Sequence, residues 1–194
     1  FPRTPQEAVQ AVRRLAFDEL FLLQLGVLER RRDWREGSPG RAISVDRHKV
    51  RDFVRSLPFP LTSDQKQAVA DIIEDIEQPT AMNRLLQGDV GSGKTVVAAC
   101  AVLAAALTGV QTAFMAPTQI LAEQHYQTLT DLLKPYGVEA VLITGAARKS
   151  YRLKTWKRIA GGEVGVVVGT HSLIVEEARF ADLNLVVVDE QHRF

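Results

Sequence analysis

The stretch Gly88-Asp89-Val90-Gly91-Ser92-Gly93-Lys94-Thr95 fits the pattern G-x-x-x-x-G-K-S/T at every fixed position. Residues of these types at this spacing bind phosphate. Glycines let the backbone come close to phosphate oxygens. Successive loop N–H groups and a helix N-terminus together make an anion site. Gly88, Val90, Gly91, Ser92 and Gly93 would supply the loop, Lys94 would reach the outer phosphates, and the Thr95 hydroxyl would ligate magnesium. A short apolar run, Leu85-Leu86, precedes the loop, and an apolar stretch from Val96 to Leu107 follows it. A strand, a loop and a helix in that order aim the N–H groups at one point. The plain alternative is a Gly-rich turn before a core helix. The complete pattern in this setting outweighs it.

The other half of such a site lies near the end of the chain. Leu185-Val186-Val187-Val188 runs into Asp189-Glu190-Gln191-His192. A continuous apolar run reads as a central parallel strand buried on both faces. Ligands in such sheets bind beyond the carboxyl ends of the strands. Asp189 is then placed to hold magnesium through water, and Glu190 to orient or deprotonate an attacking water. Alone, an Asp-Glu pair after a strand is usually a solvated strand end. Joined to the phosphate loop, it points to nucleoside triphosphate hydrolysis, with Lys94, Asp189 and Glu190 as catalytic candidates.

Composition bounds the rest. The chain has 194 residues, 46% hydrophobic and 24% charged, with a formal net charge of +1. That suits one α/β domain with an appendage. Any nucleic-acid contact must come from local patches, because no global basic excess exists. Cys100 is the only cysteine, which excludes an internal disulfide and a cysteine metal cluster. Its place in the apolar helix behind the loop reads as a buried structural thiol. The start, Phe1-Pro2-Arg3-Thr4-Pro5, is no secretory signal, and Val96 to Leu107 is too short to span a bilayer. A cytoplasmic location is the default expectation.

These residues need elements to position them. Pro5 to Arg32 reads as a helix with Ala8, Val12, Leu15, Leu20, Leu22 and Leu23 at mixed helical spacing and a charged surface. Glu36-Gly37-Ser38-Pro39-Gly40 is a breaker cluster. Val45 to Ser56 reads as a second helix before Pro58 and Pro60. Thr62, with Gln65 three residues on, opens a third that runs to about Glu77. Strands are expected at Arg84–Gln87, Thr112–Ala116, Glu139–Ile143, Val164–Val168 and Leu185–Val188. Helices are expected at Lys94–Leu107, Ile120–Leu133 and Arg148–Ala160. This alternation predicts an α/β fold with a parallel sheet flanked by helices. The division is a helical lead-in over 1–60 and a core lobe over 61–194.

Two further strand ends carry polar turns. Ala116-Pro117-Thr118-Gln119-Ile120 starts a helix, and Val168-Gly169-Thr170-His171-Ser172 ends another strand. Both would offer N–H and hydroxyl groups at the carboxyl edge, contacts that position a phosphate backbone without reading sequence. Each alone is more often an ordinary turn.

Taken together, these motifs resemble the first motor lobe of a superfamily 2 helicase, and more closely that of the RecG-type branched-DNA helicases. The residues carrying the resemblance are Leu61-Thr62 with Gln65, Leu86 to Thr95, Met115 to Thr118 with Ile120 to His125, Gly169-Thr170-His171, and Asp189 to Phe194. Arg14 to Phe21 is similar to the family's lead-in. Gln119 departs from the family, where an acidic residue is common.

The resemblance implies a RecA-like lobe that uses ATP and magnesium to drive translocation on duplex DNA, remodelling stalled forks and Holliday junctions in repair and recombination. It implies that Gln65 recognises adenine, and that Pro117, Thr118 and the turn Gly169-Thr170-His171 face DNA. Gln191 and His192 would couple nucleotide state to the DNA side. It also implies a second lobe that supplies arginines to the phosphates, and an amino-terminal wedge domain. The chain is therefore expected to be a piece of a larger protein, nearly inactive alone. A transcription–repair coupling translocase has a similar motor, although Asp189-Glu190-Gln191-His192 favours the RecG side. A nucleotide switch or kinase, and a binding module without activity, stay open as alternatives.

Overall fold

The computed structural model describes residues 4–37, 40–175 and 178–193, leaving out the side chains at 31 and 34–36. Ser38 and Pro39 of the expected breaker loop, Phe1 to Arg3 and Phe194 lie outside the described residues. The elements in chain order are α1 (Pro5–Gly37), α2 (Arg47–Ser56), α3 (Ser63–Ile76), α4 (Lys94–Ala106), β1 (Gln111–Met115), α5 (Gln119–Leu133), β2 (Ala140–Ile143), α6 (Lys149–Ala160), β3 (Val166–Gly169) and β4 (Leu183–Val188). The four strands form one parallel sheet in the order β2-β3-β1-β4. Helices connect β1 to β2 and β2 to β3, as parallel strands require. The expected fold class, a parallel sheet flanked by helices after a helical lead-in, is borne out.

Local sequence explains where the helices start. Asp46 caps α2 by accepting hydrogen bonds from the N–H groups of His48 and Lys49. Thr62 and Gln65 form the expected capping box of α3. The Thr62 hydroxyl accepts from the Gln65 N–H at 3.2 Å, and the Gln65 side chain accepts from the Thr62 N–H at 2.8 Å. α4 is apolar on nearly every side and forms the centre of the core: Ala99, Cys100, Val102, Leu103 and Ala105 are fully buried. Burial pushes the Cys100 thiol up to about 12, which keeps it inert.

Two of the strand expectations fail. Arg84–Gln87 forms no strand. A strand exists only through a ladder partner, and among the described residues this segment has none. Leu85 is exposed, and Arg84 is drawn to Asp71 and Asp75 of α3. Leu185–Val188 lies in a strand, but not a central one. β4 is an edge strand, and Val186 and Val188 are exposed at 53% and 40%. Apolar continuity could not separate a central strand from an edge strand whose outer side is uncovered.

α1 is longer than expected and exposes apolar side chains all round, among them Leu15, Phe17, Leu20, Phe21, Leu22 and Leu23. The charged surface expected of it is present beside them: Arg13, Arg14, Glu29, Arg30 and Arg32 are all exposed.

Candidate nucleotide site and its neighbouring edge

The candidate phosphate loop owes its place to α4. The helix's C-terminal end, Ala106, lies beside Gly109, Val110, Glu139 and Gly165, near the amino ends of β1, β2 and β3. At a rise of about 1.5 Å per residue, its N-terminal end stands roughly 20 Å away, towards the carboxyl edge. Gly93 is the N-cap and has no side chain to satisfy the first N–H groups. Those donors, with the positive end of the helix dipole, stay available to an anion. Gly91 and Gly93 hold φ of 81° and 79°, in the left-handed region open to glycine. A Cβ at Gly93 would also stand 2.5 Å from the Gln65 amide, and one at Gly88 would stand 2.5 Å from the Ser92 hydroxyl. Gly91 and Gly93 are thus needed for conformation, while the close atoms at Gly88 and Gly93 are side-chain ends that can shift.

Lys94 folds back over the loop. Its ammonium donates to the carbonyls of Gly88 at 2.7 Å and Asp89 at 2.8 Å. No carboxylate pairs with it among the described residues, so its charge is uncompensated. Val90 points wholly into solvent. Gln65 does reach this loop: its amide donates to the Ser92 carbonyl at 2.8 Å while its oxygen serves the α3 cap. The Thr95 hydroxyl has no hydrogen-bond partner among the described residues, which suits a metal ligand.

The carboxylates follow β4. The Asp189 N–H donates to the Met115 carbonyl at 2.8 Å, extending the β1–β4 ladder by one residue. Its carboxylate meets His125 of α5: Nε2 to Oδ2 is 2.7 Å. A carboxylate offers acceptors only, so His125 donates from Nε2. Glu190 has φ of 51°, the only positive φ outside glycine among the described residues. Its carboxylate pairs with His192 at 3.4 Å and Arg193 at 3.8 Å. Among the described residues no group of three His, Cys, Asp or Glu forms a protein-only metal cage. Magnesium does not require one, since it takes one or two protein ligands together with phosphates and water.

The candidate DNA-facing turns occupy the carboxyl ends of β1 and β3. Thr118 caps α5, accepting from the Leu121 N–H at 3.3 Å, and Thr118 itself is exposed. Pro117 is half-buried. Gly169 is buried, and a Cβ there would stand 2.4 Å from the Ile143 carbonyl, so this glycine serves strand packing. Thr170 is buried with its hydroxyl engaged by Ser172. Of that turn only the His171 side chain is exposed. Gln191 and His192 lie in a short 3-10 turn, both exposed.

A match to the family model of the DEAD/DEAH box helicases covers residues 62–194, the span from the α3 cap to the end of the chain. The chain belongs to the DEAD/DEAH box helicase family. It is 44% identical to the ATP-dependent DNA helicase RecG of Bacillus subtilis over 193 residues, covering 100% of this chain and 28% of that protein. It is also 44% identical to the RecG of Thermotoga maritima, covering 100% of this chain and 25% of that one. A solved structure of RecG bound to a three-way DNA junction superposes with a TM-score of 0.90 at 44% identity, covering 100% of this chain and 26% of that one. A hypothetical ATP-dependent RNA helicase from Sulfolobus tokodaii shares the fold, with a TM-score of 0.56 at 18% identity over 75% of this chain and 42% of that one. The chain spans about a quarter of the length of the RecG relatives it matches.

Sequence reading gave no role to three residues that the fold brings to this edge. His125 lies one strand away from Asp189 in the sheet order but 64 positions away in sequence, so no local spacing could pair them. Lys149 and Arg152 line an open cleft with Ser172, next to His171. Their signal was a run of basic residues along α6, easily taken for a solvated helix face.

Proposed function

We propose that this chain is the first motor lobe of an ATP-dependent DNA helicase that remodels branched DNA, forks and four-way junctions, in repair and recombination. The lobe would comprise residues 61–194, with 1–60 as its lead-in. The observation that carries the reading is the likeness along the whole chain to RecG relatives, coupled to a phosphate loop whose glycines, uncapped helix and unpaired Lys94 all suit a polyphosphate.

In this reading the loop N–H groups and Lys94 bind the phosphates of ATP, and Thr95 and Asp189 hold magnesium, which supplies charge neutralisation on the phosphates when bound. Glu190 takes the proton of the attacking water. Gln65, fixed beside Ser92, faces the adenine. Thr118, Pro117 and His171 meet the DNA backbone, joined by Lys149 and Arg152 on the same edge, while Gln191 and His192 link the two sides. Such contacts bind without regard to base sequence. Each phosphate neutralised adds about 0.9 to the slope of log K against log salt on duplex DNA, so a lobe with few contacts binds weakly with a shallow slope. The work would take place in the cytoplasm, and no described helix is long and apolar enough to cross a membrane.

The test is steady-state ATP hydrolysis, with and without forked DNA, by this chain and by a protein of the relatives' length that carries it. The long protein should show DNA-stimulated turnover. This chain alone should be slower by about 10³–10⁵, the worth of an arginine supplied from outside the lobe. Equal rates would overturn the two-lobe reading. Failure of both proteins to hydrolyse ATP would overturn the enzyme.

A further inference from the structure

We propose that His125 is a positioning residue that ties α5, the helix opening at Thr118, to the magnesium-holding carboxylate of Asp189. The proposal rests on the reading of Asp189 given above. Three observations carry it. First, the contact is short and directional: Nε2 stands 2.7 Å from Oδ2, leaving Oδ1 free for another partner. Second, both ends are sheltered, with side-chain exposures of 12% for His125 and 26% for Asp189. A hydrogen bond to a charged group in that setting is worth more than one in open water. Third, the imidazole cannot easily turn away. Its ring lies 4.7 Å from the ring of Phe114, a fully buried residue of β1, at a tilt of 45°.

The topology makes this contact a link between two surfaces. Thr118 caps α5 at the edge proposed to face DNA. His125 sits two turns further along the same helix, about 10 Å down its axis. A helix moves as a rigid piece, so a shift at its DNA-facing end is felt at Asp189 through one hydrogen bond. Partners that hold a metal-binding carboxylate from behind typically change metal affinity by about 10–100-fold when lost.

The experiment measures the magnesium concentration for half-maximal binding of a fluorescent ATP analogue to the full chain. It compares the wild type, His125→Phe and His125→Gln. Phenylalanine keeps the ring against Phe114 and removes the donor; glutamine keeps a donor. His125→Phe should need about 10-fold more magnesium, with unchanged analogue affinity in EDTA, and His125→Gln should recover most of the loss. Forked DNA should shift the magnesium requirement of the wild type but not of His125→Phe, while both bind the DNA equally in the absence of nucleotide. A wild-type magnesium requirement in His125→Phe would overturn the proposal, even if its thermal midpoint fell, because that pattern is a packing role alone. Absence of magnesium-dependent binding in the wild type would instead sink the reading of Asp189 on which the proposal stands.

Discussion

The two halves of the proposed nucleotide site are built on different foundations. The phosphate loop opens a helix whose body is the centre of the core, with Val102 and Leu103 fully buried behind it. The carboxylates follow an edge strand whose Val186 and Val188 face solvent, and Glu190 sits in a left-handed conformation. One half is preorganised by packing. The other is held by a ladder on one side, by His125 and by a strained turn. Backbone strain of this kind persists where surrounding structure over-determines it, and it clusters at working sites. The contrast teaches that the loop half should tolerate little change in its support, and that the carboxylate half is the more adjustable.

The largest expected effect separates chemistry from binding. In a protein of the relatives' length, Glu190→Gln should keep nucleotide affinity and lower turnover by about 10²–10⁴, the usual worth of a positioned base. Lys94→Ala should weaken nucleotide binding itself. Turnover at the wild-type rate in Glu190→Gln would remove Glu190 from the mechanism.

Stability tests the foundations directly. Leu103→Ala, behind the loop, should cost about 2–5 kcal/mol in chemical denaturation. Val186→Ala, on the exposed face of β4, should stay within about 0.5 kcal/mol. Similar losses at both positions would mean that β4 is supported as firmly as α4. Glu190→Asn sharpens the comparison from the other side. Asparagine adopts left-handed backbone more readily than glutamate, so this variant should gain about 0.5–1 kcal/mol while losing turnover. A destabilised Glu190→Asn would show that the surface pairing of Glu190 with His192 and Arg193 matters more than the backbone.

The smallest effect lies far from the site, where α2 meets the end of α3. Glu77 is hydrogen-bonded to Arg47, and that bond holds its carboxyl below the ordinary value of 4.5. The depressed value means that this contribution is complete above pH 4.5 and is lost as pH falls through the lowered value. Thermal midpoints of the wild type should therefore drop more steeply below pH 4.5 than those of Glu77→Gln. Parallel curves would show that the pair adds nothing.

Much of this protein was legible in its residues, because local physics decides it. The spacing of Gly88, Gly93, Lys94 and Thr95 marks a candidate phosphate loop, and the segment does open a helix. Thr62 and Gln65 form their capping box within a single helical turn, and the alternation of apolar runs implies a parallel sheet. Tertiary structure decided the rest, because pairing and burial depend on partners distant in the chain. It left Arg84–Gln87 without a ladder and put β4 at an edge. It buried Thr170 while exposing His171. It also set His125 against Asp189 across 64 positions of sequence. A periodic pattern says which side of a segment is apolar, but only the packed sheet says what meets that side.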